Sequence, residues 1–202
     1  MRRIIGLCAG LALMAFPALA DAPFAPPTPL LDADQAKPGP KAVAHGFTLN
    51  GVHGVLTQTN FAEVQKRFGG QLARQGQGGE SLAWLCYDLP AKHLRVWLMA
   101  GELYIGDGKI SGVTIWTVPS PANSPLCPVP TGEQSAAIDS ISPGESWAKT
   151  EARLGTPGLE KSGWAAYAHA AKVAGFDDDD SLTLKTDNGV ITDLQAWRTV
   201  TN

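Results

Sequence analysis

The chain has 202 residues, of which 44% are hydrophobic and 17% are charged, and its formal net charge is −3. This composition is that of an ordinary globular protein and excludes collagen-like and wholly disordered chains. Because the balance is mildly acidic and no basic stripe interrupts it, the sequence also argues against nucleic-acid binding and against docking on an anionic membrane surface.

The first 20 residues have the features of a secretory signal peptide. Two arginines precede an apolar run over residues 4–16, and Ala18-Leu19-Ala20 is the small-x-small pattern that signal peptidase cleaves. The apolar run is about half as long as a membrane-spanning helix, which favours a cleaved signal peptide over the alternative, a retained membrane anchor. We therefore expect a periplasmic or secreted protein, with no membrane insertion after residues 1–20 are removed.

Residues 21–45 are rich in proline and alanine and show no hydrophobic periodicity. A segment of this composition buries too little apolar surface to offset the entropy of ordering it. The sequence therefore predicts an extended, mobile tether, followed by a folded region that begins near Gly46.

The folded region contains two similar stretches, residues 46–118 and 138–202. The matching pairs are FAEVQKRFG (61–69) with WAKTEARLG (147–155), Trp-x-x-Tyr at 84–87 with the same pattern at 164–167, and GKISGVTIW (108–116) with GVITDLQAW (189–197). Because the three matches follow the same order, the sequence predicts a tandem duplication. The five prolines between residues 119 and 130 predict a stiff connector, which we place at 119–137.

Each repeat is expected to begin with a short helix. Asn60 and Glu63 form a capping box in repeat 1, and Ser142-Pro143-Gly144-Glu145 supplies a cap, a first-turn proline and a closing acid in repeat 2. Gly69 and Gly155 suit the two helix ends.

Strands are expected to follow each helix. They are predicted at 82–89, 94–99 and 109–118 in repeat 1 and at 164–169 and 190–200 in repeat 2, with hairpin turns at Gly106-Asp107-Gly108 and Asp187-Asn188-Gly189. The predicted fold class is α+β, with two tandem repeats that each pack a short helical element on an antiparallel sheet.

Three cysteines occur in the chain, and Cys8 lies within the predicted signal peptide. An even pair, Cys86 and Cys127, remains in an exported protein, which predicts a disulfide bond. Two buried free thiols are the alternative.

The order of these elements resembles two known families. A short helix that ends in Arg-apolar-Gly, then a strand with Trp and Tyr, then a hairpin that closes on an apolar strand is similar to the unit of the small outer-membrane assembly lipoproteins, the SmpA/OmlA family. Two such units in tandem resemble the β-lactamase inhibitor proteins. The residues that carry the resemblance most clearly are Ser142-Pro143-Gly144-Glu145 and Arg153-Leu154-Gly155-Thr156-Pro157. The resemblance implies the fold and a non-catalytic role.

The sequence has no signature of catalysis. It lacks a Gly-x-Ser-x-Gly elbow, a phosphate loop, a dinucleotide fingerprint and histidines at zinc-ligand spacing. We therefore predict no catalytic residues, no metal site and no cofactor. The densest charge is Asp177-Asp178-Asp179-Asp180, which is expected to be a solvated acidic loop between two strands, with cation binding left open.

The tryptophans supply the main candidate for a binding surface. In the last strand of each repeat, apolar residues alternate with Trp116 and Trp197, so these two side chains are predicted to point away from the helix. The alternative is that they pack against a loop or between the repeats. The predicted surface consists of Trp97, Trp116, Trp197, Arg95, Thr114 and Gln195.

Three functions remain open at this point. The leading hypothesis is an exported, non-catalytic binding module whose joined sheet face engages an envelope or secreted protein, as an inhibitor or adaptor. The second is a structural or assembly factor of the outer envelope. The third is an enzyme of unrecognised type.

Overall fold

In the computed structural model, which describes residues 24–28, 31–120 and 124–202, the chain forms an α+β fold with three short helices. The predicted signal peptide lies outside the described residues. The strands are β1 (Gly46–Leu49), β2 (Val52–Val55), β3 (Ala73–Gln75), β4 (Leu82–Leu89), β5 (Leu94–Gly101), β6 (Gly112–Thr117), β7 (Ala136–Ile138), β8 (Leu159–Lys161), β9 (Trp164–Val173), β10 (Phe176–Asp187) and β11 (Val190–Thr201). The helices are α1 (Phe61–Phe68), α2 (Glu102–Ile105) and α3 (Trp147–Leu154).

Eight strands form one antiparallel sheet in the order β3-β4-β5-β6-β11-β10-β9-β8. The order runs forward from β3 to β6 and then backward from β11 to β8. The strands β6 and β11 therefore meet at the centre, where Ile115 lies opposite Leu194 and Gly112 lies opposite Trp197. A second sheet of three strands, β2-β1-β7, connects the N-terminal part of the fold to the segment before α3.

The helices α1 and α3 make corresponding contacts at their first residues. The Phe61 N–H donates to the Gly108 carbonyl at 2.9 Å, and the Trp147 N–H donates to the Gly189 carbonyl at 2.9 Å. Both acceptors lie in the turn before the last strand of their half of the sheet. Each helix start is thus fixed to the strand that will meet its counterpart at the centre.

The last turns of the two helices also correspond. The Tyr87 hydroxyl donates to the Gly69 carbonyl at 2.8 Å, and the Tyr167 hydroxyl donates to the Gly155 carbonyl at 2.9 Å. Gly69 and Gly155 have φ values of 73° and 89°, a left-handed conformation that favours glycine. These hydrogen bonds hold each helix end against the second strand of its half.

The main core fills the space between the eight-stranded sheet and the layer formed by α1, α3 and the small sheet. Alternate side chains of β4, β5, β6, β10 and β11 point into it, as period-two alternation requires. Its fully or almost fully buried members include Leu85, Leu98, Val113, Ile115, Leu184, Leu194 and Ala196.

The predicted start of α3 is wrong. The helix begins at Trp147 after Ser146, and the motif at 142–145 is a turn. Its backbone pairs with β11 instead, because the Gly144 N–H donates to the Ile191 carbonyl and the Ile191 N–H donates to the Glu145 carbonyl. The start of α1 agrees with prediction: Asn60 is the N-cap residue, and its N–H donates to Glu63 Oε2 at 3.4 Å.

The prediction of a mobile tether is wrong for the part of residues 21–45 that the structure describes. We call residues 24–28 and 31–45 the N-terminal strap. Leu31 and Ala36 are buried against the sheet, and the Gly39 N–H donates to the Ala168 carbonyl at 2.7 Å. The strap is ordered because its few apolar side chains meet a surface that distant strands provide.

The prediction of an acidic loop is also wrong, because the four aspartates lie within β10. The Asp178 carboxylate receives two hydrogen bonds from Arg198, at 2.7 and 2.9 Å, which hold the pKa of Asp178 below its usual value. Asp177 pairs with Lys172 at 3.1 Å, and Asp180 is buried. Asp179 is exposed, and the other three carboxylates are separately paired on the two faces of the strand.

The predicted disulfide is confirmed: Cys86 in β4 is bonded to Cys127. The proline-rich segment that contains Cys127 lies along β4, since the Asp88 N–H also donates to the Pro128 carbonyl at 3.2 Å. The bond thus fixes the connector to the sheet.

Replacing both cysteines by alanine is expected to lower the free energy of unfolding by about 4 kcal/mol. The bond joins residues 41 positions apart, and its loss frees the unfolded chain from that closed loop. Urea unfolding of the wild type and of C86A/C127A measures the difference. A reductant should destabilise the wild type by a similar amount and leave the variant unchanged. Two free thiols in unreduced, unfolded protein would contradict the assignment.

Alkaline pH is expected to destabilise the fold through two of its buried tyrosines, Tyr87 and Tyr167. Burial is the main cause that raises the pKa of Tyr167 to about 12, with Glu151 and Glu160 adding to it, and burial also raises the pKa of Tyr87. An unfolded tyrosine ionises near about pH 10, so the stabilisation is complete below that pH and is lost as the pH rises through the folded-state values.

Urea midpoints measured from pH 9 to pH 12 test this expectation, with tyrosinate absorbance followed in parallel. The double variant Y87F/Y167F removes both hydroxyls, so its stability should fall less steeply over the same range. An equal slope for the two proteins would show that other groups cause the alkaline loss.

Candidate functional site: the tryptophan face

The sheet face that points away from the helices carries five of the six tryptophans, and we call it the tryptophan face. The sixth, Trp147, begins α3 and packs against the main core. Alternation along the strands explains the division, because each of the five stands next to at least one core residue in sequence. The five are Trp84, Trp97, Trp116, Trp164 and Trp197.

Part of this face forms a second core. Trp84 and Trp97 are buried together with Met99 and the disulfide. Trp116 and Trp164 come from different halves of the sheet, and their ring centroids lie 5.7 Å apart. Aromatic pairs at this distance stabilise a fold beyond the area that they bury. The tryptophans therefore contribute to the packing of both halves as well as to a surface.

The N-terminal strap covers the end of the face near the start of β5. The Trp97 indole N–H donates to the Phe24 carbonyl at 2.8 Å. The Arg95 guanidinium lies 4.7 Å from the centre of the Phe24 ring, and it also donates to Asp88 at 2.6 and 3.1 Å. Arg95 is thus held between a buried carboxylate and the strap.

Three of the six predicted surface residues are not open to solvent in the way the prediction required. Trp97 is 4% exposed and Thr114 is fully buried. The Gln195 amide donates to the Thr114 hydroxyl at 2.9 Å, and only 12% of the Arg95 side chain is exposed. The prediction that Trp97, Thr114 and Arg95 form an open surface is therefore wrong, because the strap and neighbouring side chains cover them.

The other three predicted residues, Trp116, Trp197 and Gln195, are partly exposed. The Trp197 ring lies flat over Gly112, so that a Cβ atom at position 112 would lie 2.5 Å from the ring. This close approach requires glycine on the neighbouring strand. It also fixes the orientation of the indole at the centre of the sheet.

Two concavities adjoin Trp197, with volumes of about 500 and 270 Å³. Both are also lined by Ser181 and Thr199 from the sheet and by Asp34 from the strap. The larger one adds Thr183 and Gln195. Among the described residues that line the two concavities, none is lysine or arginine. The arrangement offers one aromatic surface, several hydroxyl and amide groups and carboxylates, which suits binding by contact and hydrogen bonding.

A histidine and a carboxylate lie close together beside the smaller concavity. His169 Nδ1 is 3.0 Å from one oxygen of Asp180, while the other oxygen accepts from the Val43 and Ala44 N–H groups at 2.6 and 3.0 Å. Ser181 follows in the strand and points to the opposite face. The pair therefore anchors the root of the strap, and within the described residues it has no third member placed for nucleophilic catalysis.

A further concavity of about 520 Å³, which sequence reasoning missed, lies on the helix side of the sheet. Three exposed apolar residues line it: Leu103, Val173 and Phe176. Tyr104 lies in its wall, where its hydroxyl accepts from the Val200 N–H at 2.6 Å and donates to the Val200 carbonyl at 3.2 Å. The one available sequence signal was Ala-Gly between two apolar residues at 173–176, which is typical of a hairpin tip.

The described ranges contain no group of three or more histidine, cysteine, aspartate or glutamate residues arranged to hold a metal ion. None of the helices in the described part of the chain is both long enough and apolar enough to span a membrane.

No protein-family model matches the chain, and no curated protein sequence is significantly similar to it. A solved structure from Streptococcus mutans, described as a "putative beta-lactamase inhibitor protein", is similar at 12% identity with a TM-score of 0.25, over 71% of this chain and 83% of that chain. A likeness of this extent identifies neither a function nor a site.

The variant Gly112→Ala is expected to displace the Trp197 ring and to destabilise the protein by about 1–3 kcal/mol, the usual cost of overpacking. Urea unfolding measures the change, and tryptophan fluorescence reports the displaced ring. Gly101→Ala is the matched control, because a Cβ atom at position 101 meets no atom within 4 Å. The change W197A should lower the free energy of unfolding by less in the G112A background than in the wild type. Equal decreases in the two backgrounds would show that the two residues are not coupled.

Proposed function

We propose that this protein is an exported, non-catalytic binding module whose tryptophan face engages an envelope or secreted protein, as an inhibitor or an adaptor. The observation that carries the proposal is the position of Trp197. It lies partly exposed at the centre of an eight-stranded sheet, on the face opposite the core, and it lines two concavities. Large aromatic side chains in such positions are frequent hot spots of protein interfaces.

The duplication belongs to the same proposal. In both halves a helix start is bonded to a turn glycine, and a tyrosine hydroxyl is bonded to the glycine at the helix end. Two copies of such a unit, joined edge to edge, would form one continuous face about twice as wide as either copy provides. A standard protein interface needs about 800 Å² on each partner, which favours a broad surface over a single pocket.

Export is supported by the N-terminal sequence and by the disulfide. Residues 1–20 carry the basic, apolar and small-residue regions of a signal peptide in the order that export requires. A structural disulfide such as Cys86–Cys127 forms and persists in oxidising compartments. The partner is therefore sought among envelope and secreted proteins.

Photocrosslinking from position 199 tests which face binds. A photoreactive amino acid at Thr199 would stand beside both concavities, whereas the same group at Lys149 would stand on α3, on the opposite side of the sheet. Lys149 is a suitable control because 77% of its side chain is exposed. We expect a specific crosslinked protein from position 199 in the periplasm and none from position 149. The reverse pattern, or the same product from both positions, would refute the proposal.

Once a partner is identified, W197A should weaken its binding by at least about 2 kcal/mol, or roughly 30-fold in Kd. Binding is measured at a temperature at which calorimetry shows both proteins folded. W147A is the matched control, since it removes a partly buried tryptophan from the helix side and should lower stability without changing Kd. Unchanged binding by W197A would exclude Trp197 as a contact.

A further inference from the structure

We propose that the N-terminal strap is a displaceable ligand of the tryptophan face, and that the partner presents an extended, proline-containing segment with an aromatic anchor to the same place. The first part of this proposal, release of the strap, concerns this chain alone. The second part rests on the function proposed above, because it names the class of partner that the face would take.

The first contact of the strap has the chemistry of peptide recognition. Residues 24–28 read Phe-Ala-Pro-Pro-Thr, and Phe24 and Ala25 pack on the cluster that contains Trp84 and Trp97. The Phe24 carbonyl accepts a hydrogen bond from the Trp97 indole N–H, and the Phe24 ring stacks on the Arg95 guanidinium. Aromatic grooves bind proline-rich segments because such segments are already extended before they bind.

The second contact lies farther along the strap. Leu31 and Ala36 are 7% and 5% exposed, and they pack with Trp164 and Ala166. Asp34 between them faces the two concavities beside Trp197. The strap therefore touches both halves of the tryptophan face and leaves its centre partly open.

The strap is held more firmly at its root than at its tip. Val43 and Ala44 donate to the buried Asp180 carboxylate, and Gly39 donates to Ala168 of β9. In contrast, no backbone N–H of described residues 24–36 donates to the sheet, and the turn at 33–35 is bonded within itself. Residues 24–36 can therefore leave the face while the root stays in place.

Release would expose the part of the face that the strap now covers. Trp97 would lose its hydrogen-bonded partner, and Arg95 would lose the ring that stacks on it. An incoming segment with an aromatic side chain and a free carbonyl would replace both contacts. It would have to compete with a tethered occupant, whose effective concentration is about millimolar for a short flexible link.

Cleavage of the folded protein tests the first part of the proposal, that the strap can be released. Residues 37–41 are exposed, so a specific protease site can replace Gly39-Pro40-Lys41 in the full chain. After cleavage, we expect the strap peptide to dissociate on gel filtration while circular dichroism shows an intact sheet. A synthetic peptide of residues 22–38 should then rebind and change the tryptophan fluorescence. The peptide with F24A and L31A should bind at least tenfold more weakly. An unfolded remnant, or a peptide that does not rebind, would overturn the proposal.

Hydrogen exchange in the uncut wild-type protein tests strap release without the inserted protease site. The Trp97 indole proton should exchange with solvent at least tenfold faster than the most protected amides of β5, because strap release exposes it without global unfolding. Exchange at the same rate as those amides would show that the strap is an inseparable part of the fold. A protein that is dimeric on gel filtration, with its straps exchanged between copies, would also overturn the intramolecular assignment.

The second part of the proposal, the class of partner, is tested by a separate measurement. If the free 22–38 peptide competes with the partner crosslinked from position 199, the partner uses the strap site, as proposed. If the peptide rebinds but does not compete, the named partner class is wrong and the proposed binding function stands. If no partner is crosslinked, the binding function fails, whereas strap release is judged by its own measurements.

Discussion

The pairing of β6 with β11 is the contact on which the arrangement of the rest depends. It places Ile115 against Leu194 on one side of the sheet and Gly112 against Trp197 on the other. Because strand side chains alternate, this one register decides which residues of both halves face the helices and which face outward. A shift by one residue would bring Trp197 into the main core and turn Leu194 toward solvent.

Carboxylates hold the junctions around this pairing: Asp180 and Asp193 are buried, and Asp139 is partly exposed. Asp193 in β11 accepts the N–H of Thr117 in β6 at 2.8 Å, which joins the two halves, and it lies 3.4 Å from the Lys185 ammonium group. Asp180 holds the root of the strap, and Asp139 accepts two N–H groups at the start of β1 at 2.6 and 2.9 Å. A carboxylate that binds backbone N–H groups satisfies donors that would be costly to bury alone.

The alternation of apolar residues, the turn residues and the pairing of cysteines were sufficient to predict several features of the fold and of the candidate site from the sequence. They predicted the α+β class, the Cys86–Cys127 bond and the orientation of Trp116 and Trp197. The errors arose where distant residues decide a local conformation. The motif at 142–145 has good helix-start residues, but its backbone is hydrogen-bonded to β11. The acidic run lies in a strand, where Arg198 binds Asp178 and the N–H groups of Val43 and Ala44 bind Asp180. Composition likewise could not reveal that Phe24 and Leu31 pack on a face that gathers five tryptophans from five strands and both halves.

The hydroxyl of Tyr104 has a consequence for solubility. The strand β11 continues to Thr201, past Gly112, the first residue of its antiparallel neighbour β6. A free strand edge of that kind is a template on which other chains can add and aggregate. Tyr104 occupies both the donor and the acceptor of Val200 on that edge, so the exposed stretch cannot recruit a new strand there. The outermost strands of the sheet, β3 and β8, are only three residues long each. A broad, tryptophan-bearing sheet is thereby kept from polymerising edge to edge.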